Sequence, residues 1–278
     1  MKFHERECVS LYLSDMKLIE ECNTNFQQVQ ICQHPELGKV LIINDEIQNV
    51  EKWAPCYHEA ITHIPMMFLE KPKNVLILGG GDLYAANILL KYPSVKRIVI
   101  CDHDINVIKL TQKYYTHADA VIEDSRVQFI FMDAKQFLQD CNEQFDLIID
   151  DCFNLVEAFD EMDNIFEKLK ALSTENTGVC CSLLYRHIFN QYVMQTTKKR
   201  LFEKTKTVLS LTTVPEYPGV LHLLAIWGKS IYLSQDMKFS VNEWHKECIS
   251  KNILCGELFS PKFCQFYLYL PSYIKELL

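Results

Sequence analysis

Apolar residues along the chain fall into two regimes. Up to about residue 53 they come in short runs broken by turn signals, with no long helical period. Residues 26–32 alternate loosely, His34-Pro35-Glu36-Leu37-Gly38 reads as a turn, residues 39–43 as a second strand, Asn44-Asp45 as a tight turn and residues 46–50 as a third strand. This pattern predicts a β-meander or hairpin unit. Pro55 suits the opening turn of a helix, and Pro65 closes that helix near its end.

From residue 73 the apolar runs become continuous. Val75-Leu-Ile-Leu78 has no polar break, as a strand buried on both faces requires. A glycine-rich turn and a helix to about residue 91 follow. Further strands are expected at 97–101, 127–131, 145–149 and 178–183, with helices at about 105–115, up to 139, and at 163–172. A long helix is expected over about 187–203, then strands at 207–214 and 221–227, a helix at 241–250 and a short one after Pro271. Strands alternating with helices predict βαβ units and an α/β fold with a parallel, Rossmann-like sheet of the methyltransferase type. The last two strands have no helix between them, so they are expected to pair antiparallel.

Composition narrows the function classes. With 278 residues and 49 % hydrophobic content, the chain can bury one large core plus a small accessory domain. No apolar run reaches 18 residues, and residues 1–7 are charged, so neither a membrane span nor a signal peptide is expected. The 12 cysteines are scattered without a C-x-x-C pair and read as reduced thiols of a cytoplasmic protein, with no metal site. His58 and His63 are five apart, which splays them on a helix. A net charge of −8 argues against a nucleic-acid partner and suits a cationic substrate.

Candidate chemistry gathers at strand ends. Gly79-Gly80-Gly81 follows a buried strand and precedes a helix, so the backbone can turn sharply and a ligand can approach it closely. The next strand ends in Asp102, where an acid hydrogen-bonds the ribose hydroxyls of a nucleoside; Asp104 suits a helix N-cap better. Asp133-Ala134 ends the third strand, where Asp133 is either an adenine partner or an N-cap. Asp150-Asp151 ends the fourth, and strand alternation sends one carboxylate to the ligand and the other away. A carboxylate there can attract cations or take a proton from an attacking amine.

These residues resemble the spermidine synthases, the polyamine aminopropyltransferases. The resemblance is carried by Val75 to Asp82, the stretch Lys91-Tyr-Pro-Ser-Val95, Asp102, the segments 47–51 and 57–65, Val214-Pro-Glu-Tyr-Pro-Gly219 and the tail 267–278. It implies a small N-terminal β-domain over 1–53, a catalytic domain over 54–278, decarboxylated S-adenosylmethionine as donor, a small-molecule amine acceptor with putrescine as default, and a homodimer or homotetramer. It also implies roles. Asp102 holds the ribose and Asp133 with Ala134 the adenine edge, while Gln27, Gln48 and the three glycines line the donor site. Asp82 faces the donor's ammonium, and Asp151 deprotonates the attacking amine. Tyr57 and Tyr217 bracket the amine chain, with His58 beside them.

The chain departs from the family's pattern at two places. Leu83 stands where the family has a glycine. The loop after Asp151 reads Cys152-Phe153-Asn154-Leu155, so the family's second acid is the amide Asn154 and its proline is absent. That loop keeps two alternatives open: a methyltransferase using intact S-adenosylmethionine, and a non-catalytic paralogue. The spacing of a dinucleotide fingerprint fails, because Leu83 and Tyr84 follow Asp82.

Overall fold

A computed structural model describes residues 2–6, 9–153, 162–175, 178–185, 195, 198–199, 203, 205–218, 222–228, 231 and 241–272. The chain opens with an antiparallel pair, β1 (Lys2–Arg6) and β2 (Val9–Tyr12). A four-stranded antiparallel sheet follows, β3 (Lys17–Asn23), β4 (Gln28–His34), β5 (Gly38–Ile43) and β6 (Glu46–Val50), in that spatial order. The β5–β6 connection has Asn44 at φ 49° and Asp45 at φ 64°. Two left-handed residues in a two-residue loop match the right-handed twist of a hairpin, and Asn and Asp tolerate them.

The last three strands of that sheet fall where the alternation places them. The chain's first three strands, β1 to β3, were not anticipated. β3 is largely exposed and charged, Lys-Leu-Ile-Glu-Glu-Cys-Asn, so it carries little alternating apolar signal.

Helix α1 (Ala54–Met66) leads from the small sheet into the large one. It is buried nearly all round, so it packs between elements rather than over a surface. The large sheet has seven strands: β7 (Asn74–Gly79), β8 (Arg97–Asp102), β9 (Val127–Phe131), β10 (Leu147–Asp151), β11 (Val179–Tyr185), β12 (Thr207–Thr212) and β13 (His222–Gly228). Their order is β12-β13-β11-β10-β7-β8-β9. Strands β7 to β11 run parallel, while β13 is antiparallel to both β11 and β12, as the missing helix between the last two strands predicts. Helices α2 (Tyr84–Leu89), α3 (Ile105–Tyr114), α4 (Ala118–Ile122), α5 (Ala134–Asp140) and α6 (Met162–Leu172) cross between strands. Helices α7 (Val241–Ser250) and α8 (Cys264–Leu268) follow the sheet. Of the expected helix near 187–203 and the one after Pro271, most residues lie outside the described ones.

Two cores sandwich the large sheet. Val75 and Ile77 of β7 and Ile98 and Ile100 of β8 face one of them; Leu76, Leu78, Val99 and Ile148 face the other. Alternation on both faces explains why β7 reads as an unbroken apolar run. The order reverses at β7, with β8 on one side and β10 on the other, and that reversal opens a crevice at the strands' carboxyl ends. Among the described residues no helix is long and apolar enough to cross a membrane, and ten cysteines are free thiols.

Candidate active site

The glycine turn sits at the mouth of that crevice. Gly79 and Gly80 adopt φ values of 79° and 77°, conformations that side chains disfavour. Gly81 packs against the neighbouring strand: a Cβ on it would lie 2.8 Å from Asp102 Oδ2. Leu83, the residue in place of the family's glycine, holds φ 64° while fully buried, and its N–H donates to Gly80 O at 2.9 Å. A β-carbon in that conformation stores roughly 1–2 kcal/mol of strain, which the burial of the leucine offsets.

Beside this turn, β8 ends in Asp102. One of its oxygens, Oδ1, accepts the N–H of Asp104 at 2.9 Å, and burial raises its carboxyl above the ordinary range. Asp104 caps α3 by accepting from Asn106 N, as its position predicts, and also accepts from Thr24 Oγ1 at 2.7 Å and Gln27 Nε2 at 3.2 Å. The β3–β4 turn is thereby pinned to the large sheet. A cavity of about 450 Å³ opens here, lined by Gln27, Gln48, Tyr57, His58, Gly79, Gly80, Gly81, Asp82, Asp102 and Asp151. Ten residues that the sequence nominated separately thus share one concave surface.

Helix α1 brings two of them. Tyr57 OH donates to Asp151 Oδ1 at 2.6 Å. His58 directs Nδ1 to Ala54 O at 2.8 Å and Nε2 to Asp82 Oδ2 at 2.9 Å. Both partners only accept, so the ring carries both protons. Burial alone would lower His58, but the adjoining Asp82 charge overrides it and holds the imidazole at about 9. Asp82 also accepts from Asn49 Nδ2 at 2.6 Å and Tyr84 N at 3.0 Å. Burial would raise this carboxyl, yet the His58 charge and these donors hold it well below the usual carboxylate range. The aspartate expected to present a free charge is therefore neutralised by His58, and it also takes up the N–H of Tyr84, the first residue of α2.

Strand β10 ends as alternation requires. Asp151 faces the cavity, whereas Asp150 is buried and accepts from Phe153 N at 3.1 Å. Burial raises Asp151 to about 7, against the opposing charge of His58. Burial likewise raises Asp150 to about 6.

Among the described residues three nominated positions, Asp133, Ala134 and Tyr217, do not line this cavity. Asp133 is exposed and caps α5, accepting from Lys135 N at 2.9 Å and Gln136 N at 3.1 Å, with Ala134 as the helix's first residue. Tyr217 donates to Ile47 O at 3.1 Å, beside the cavity's β6 wall. Asn154 lies outside the described residues.

Sequence reading passed over Asn49, Thr24, His103 and Cys152. Asn49 had a signal: alternation along β6 turns Ile47 and Asn49 inward, and a polar residue at an inward position asks for a partner. Thr24 had none, because its partner is 80 residues away.

Comparison with known proteins places these features. Residues 54–238 match the spermine/spermidine synthase domain. The chain is 34 % identical over 219 residues to the polyamine aminopropyltransferase of Archaeoglobus fulgidus, covering 77 % of this chain and 78 % of that protein. It is 25 % identical over 276 residues to the polyamine aminopropyltransferase of a Thermoanaerobacter species, covering 96 % and 93 %. Among solved structures, spermidine synthase from Thermotoga maritima superposes with a TM-score of 0.77 at 22 % identity, covering 94 % of this chain and 87 % of that one. A spermidine synthase in complex with the transition-state analogue AdoDATO superposes with a TM-score of 0.83 at 22 % identity, covering 99 % and 93 %. At that identity the likeness establishes a shared fold.

Proposed function

The chain belongs to the spermine/spermidine synthase family of aminopropyltransferases, and from that premise we propose that it transfers an aminopropyl group from decarboxylated S-adenosylmethionine to a diamine, with putrescine as the default acceptor. The contact of Tyr57 OH with Asp151 at 2.6 Å beside the glycine turn is the observation that carries this reading. It orients a carboxyl that burial raises to about 7, at the end of the strand beside β7.

In this reading the donor's nucleoside lies along Gly79–Gly81, with Asp102 taking the ribose hydroxyls. Asp133 and Ala134 would meet the adenine edge at the crevice's rim. The acceptor's amine lone pair attacks the methylene beside the sulfonium. The C–N bond forms as the C–S bond breaks, and the electron pair leaves with sulfur, which becomes a neutral thioether. The attacking ammonium first gives a proton to Asp151, which Tyr57 orients, and the new secondary ammonium keeps its remaining protons. Alignment and negative charge around two cations supply most of the acceleration.

Donor choice follows from charge. Intact S-adenosylmethionine would bring its carboxylate toward Asp82, and like charges at about 4 Å repel by about 4 kcal/mol at an effective dielectric of 20. His58 is already paired with Asp82, so much of that penalty is cancelled, and the discrimination rests on the negative charge that Asp151 adds nearby when ionised. Calorimetry with both donors tests the reading, together with mass-spectrometric detection of methylthioadenosine and the elongated amine. Tighter binding of intact S-adenosylmethionine, or methyl transfer to the amine, would refute it.

A further inference from the structure

Buried polar atoms almost always have a hydrogen-bond partner, so one without a partner marks a place that water, an ion or a ligand completes. Glu216 is such a place. Its side chain is 7 % exposed; Oε1 accepts the N–H of Val50 at 3.2 Å, and Oε2 is buried with no partner among the described residues. Burial raises its carboxyl, and the amide donors and the charge of His58 offset this only in part.

The position of this carboxylate matters as much as its open oxygen. The turn after β12 folds over the junction of β6 and α1, where Thr212 Oγ1 donates to Cys56 O at 3.4 Å and Tyr217 OH donates to Ile47 O at 3.1 Å. Val50, which holds Glu216, directly follows Asn49, which holds Asp82. Glu216 does not itself line the cavity, but it hangs from the same strand end as Asp82, one residue before Tyr217, and the charges of His58 and Asp82 both reach it.

A diamine presents two ammonium ends to such a site. One loses its proton beside Asp151 in order to attack; the other stays charged and needs a counter-charge. The four residues after Asp151, Cys152-Phe153-Asn154-Leu155, carry no carboxylate, and Glu157, Asp160 and Glu161 lie outside the described residues. We propose that Glu216 is a specificity-determining residue for the acceptor, its open Oε2 receiving the ammonium at the far end of the diamine. The carboxylate has already lost its water in the free protein, so an arriving cation meets an anion whose desolvation cost is behind it. This assignment rests on the aminopropyltransferase reading.

The test is a calorimetric titration of 1,4-diaminobutane and of butylamine into the full chain in the presence of methylthioadenosine. Wild type, Glu216→Gln and Glu216→Asp are compared. Glutamine keeps an acceptor for Val50 N and removes the charge. Glu216→Gln is expected to bind the diamine roughly tenfold to a hundredfold more weakly, with butylamine and methylthioadenosine unchanged. Glu216→Asp is expected to keep the preference for the diamine. The ratio of the two amines within one variant cancels any general loss of fold. Equal losses for both amines, an unchanged diamine affinity, or a shift confined to the pH dependence governed by His58 would overturn the assignment. Turnover of wild type with decarboxylated S-adenosylmethionine and the diamine is a separate arm: its failure removes the aminopropyltransferase reading, whatever the titrations give.

Discussion

The two sides of the crevice are completed to different degrees. On the β7–β8 side, hydrogen bonds within the protein already close the structure: Asp104 has donors from Thr24, Gln27 and Asn106, and Asp102 holds Asp104 N. On the side of α1, β10 and the turn after β12, burial raises the carboxyls of Asp150, Asp151 and Glu216, and Glu216 keeps an open oxygen. Burial raises Asp102 on the first side as well, but there donors hold Asp104 low, whereas on the second side three carboxyls are raised and one oxygen stays unpartnered among the described residues. A surface built from backbone turns is finished before its ligand arrives. A surface built from buried carboxylates is finished by the cation that it takes.

That contrast can be broken by substitution. The largest effect is expected at Asp151. Asp151→Asn should lower kcat about a hundredfold to ten-thousandfold in single-turnover assays, with little change in donor affinity. Equal losses in both would merge the two sides. Asp102→Ala is the mirror case: donor binding by calorimetry should weaken about tenfold to a hundredfold, while the diamine's KM stays near that of wild type.

Acidity sharpens the comparison next. Asp151 works as a base only when ionised, so turnover should rise with pH through about 7. Lowering the pH from 7 to 6 should cost about fivefold. A flat profile across that window would separate the rate from Asp151.

Stability should carry the opposite sign at higher pH. His58 is raised from 6.5 to about 9, so the fold favours its protonated form. Its contribution is complete below pH 6.5 and fades as pH rises through about 9. Tm should decline across that interval, and Asp82→Asn should flatten the decline. The smallest effect concerns Leu83. Leu83→Gly relieves the left-handed strain and removes a buried side chain, for a net loss of about 1–3 kcal/mol in denaturant unfolding.

Legibility in the sequence follows the same division. The parallel sheet, the reversed last strands and the glycine turn were readable because continuous apolar runs and consecutive glycines are local signals. Asp102, Asp104 and Asp151 were readable because strand ends point into the crevice in this class of fold. β1 to β3 were not; β3, for one, is largely exposed and charged and carries no alternation. The pairing of His58 with Asp82 was also hidden. It joins α1 to the β7–α2 turn, and no sequence spacing records that the ring would consume the charge expected to face a ligand. Asp133 was evenly balanced between an adenine contact and a helix cap; the cap is present, and the adenine contact stays a proposal.

Gly79 carries a consequence beyond the bend it permits. A Cβ there would stand 2.9 Å from the carbonyl oxygen of Asp151, on the adjacent strand. A single hydrogen atom therefore sets the gap between the nucleoside's cradle and the base. An alanine at position 79 would press on β10 from the side, and an assay would record it as slowed chemistry as well as weakened nucleoside binding.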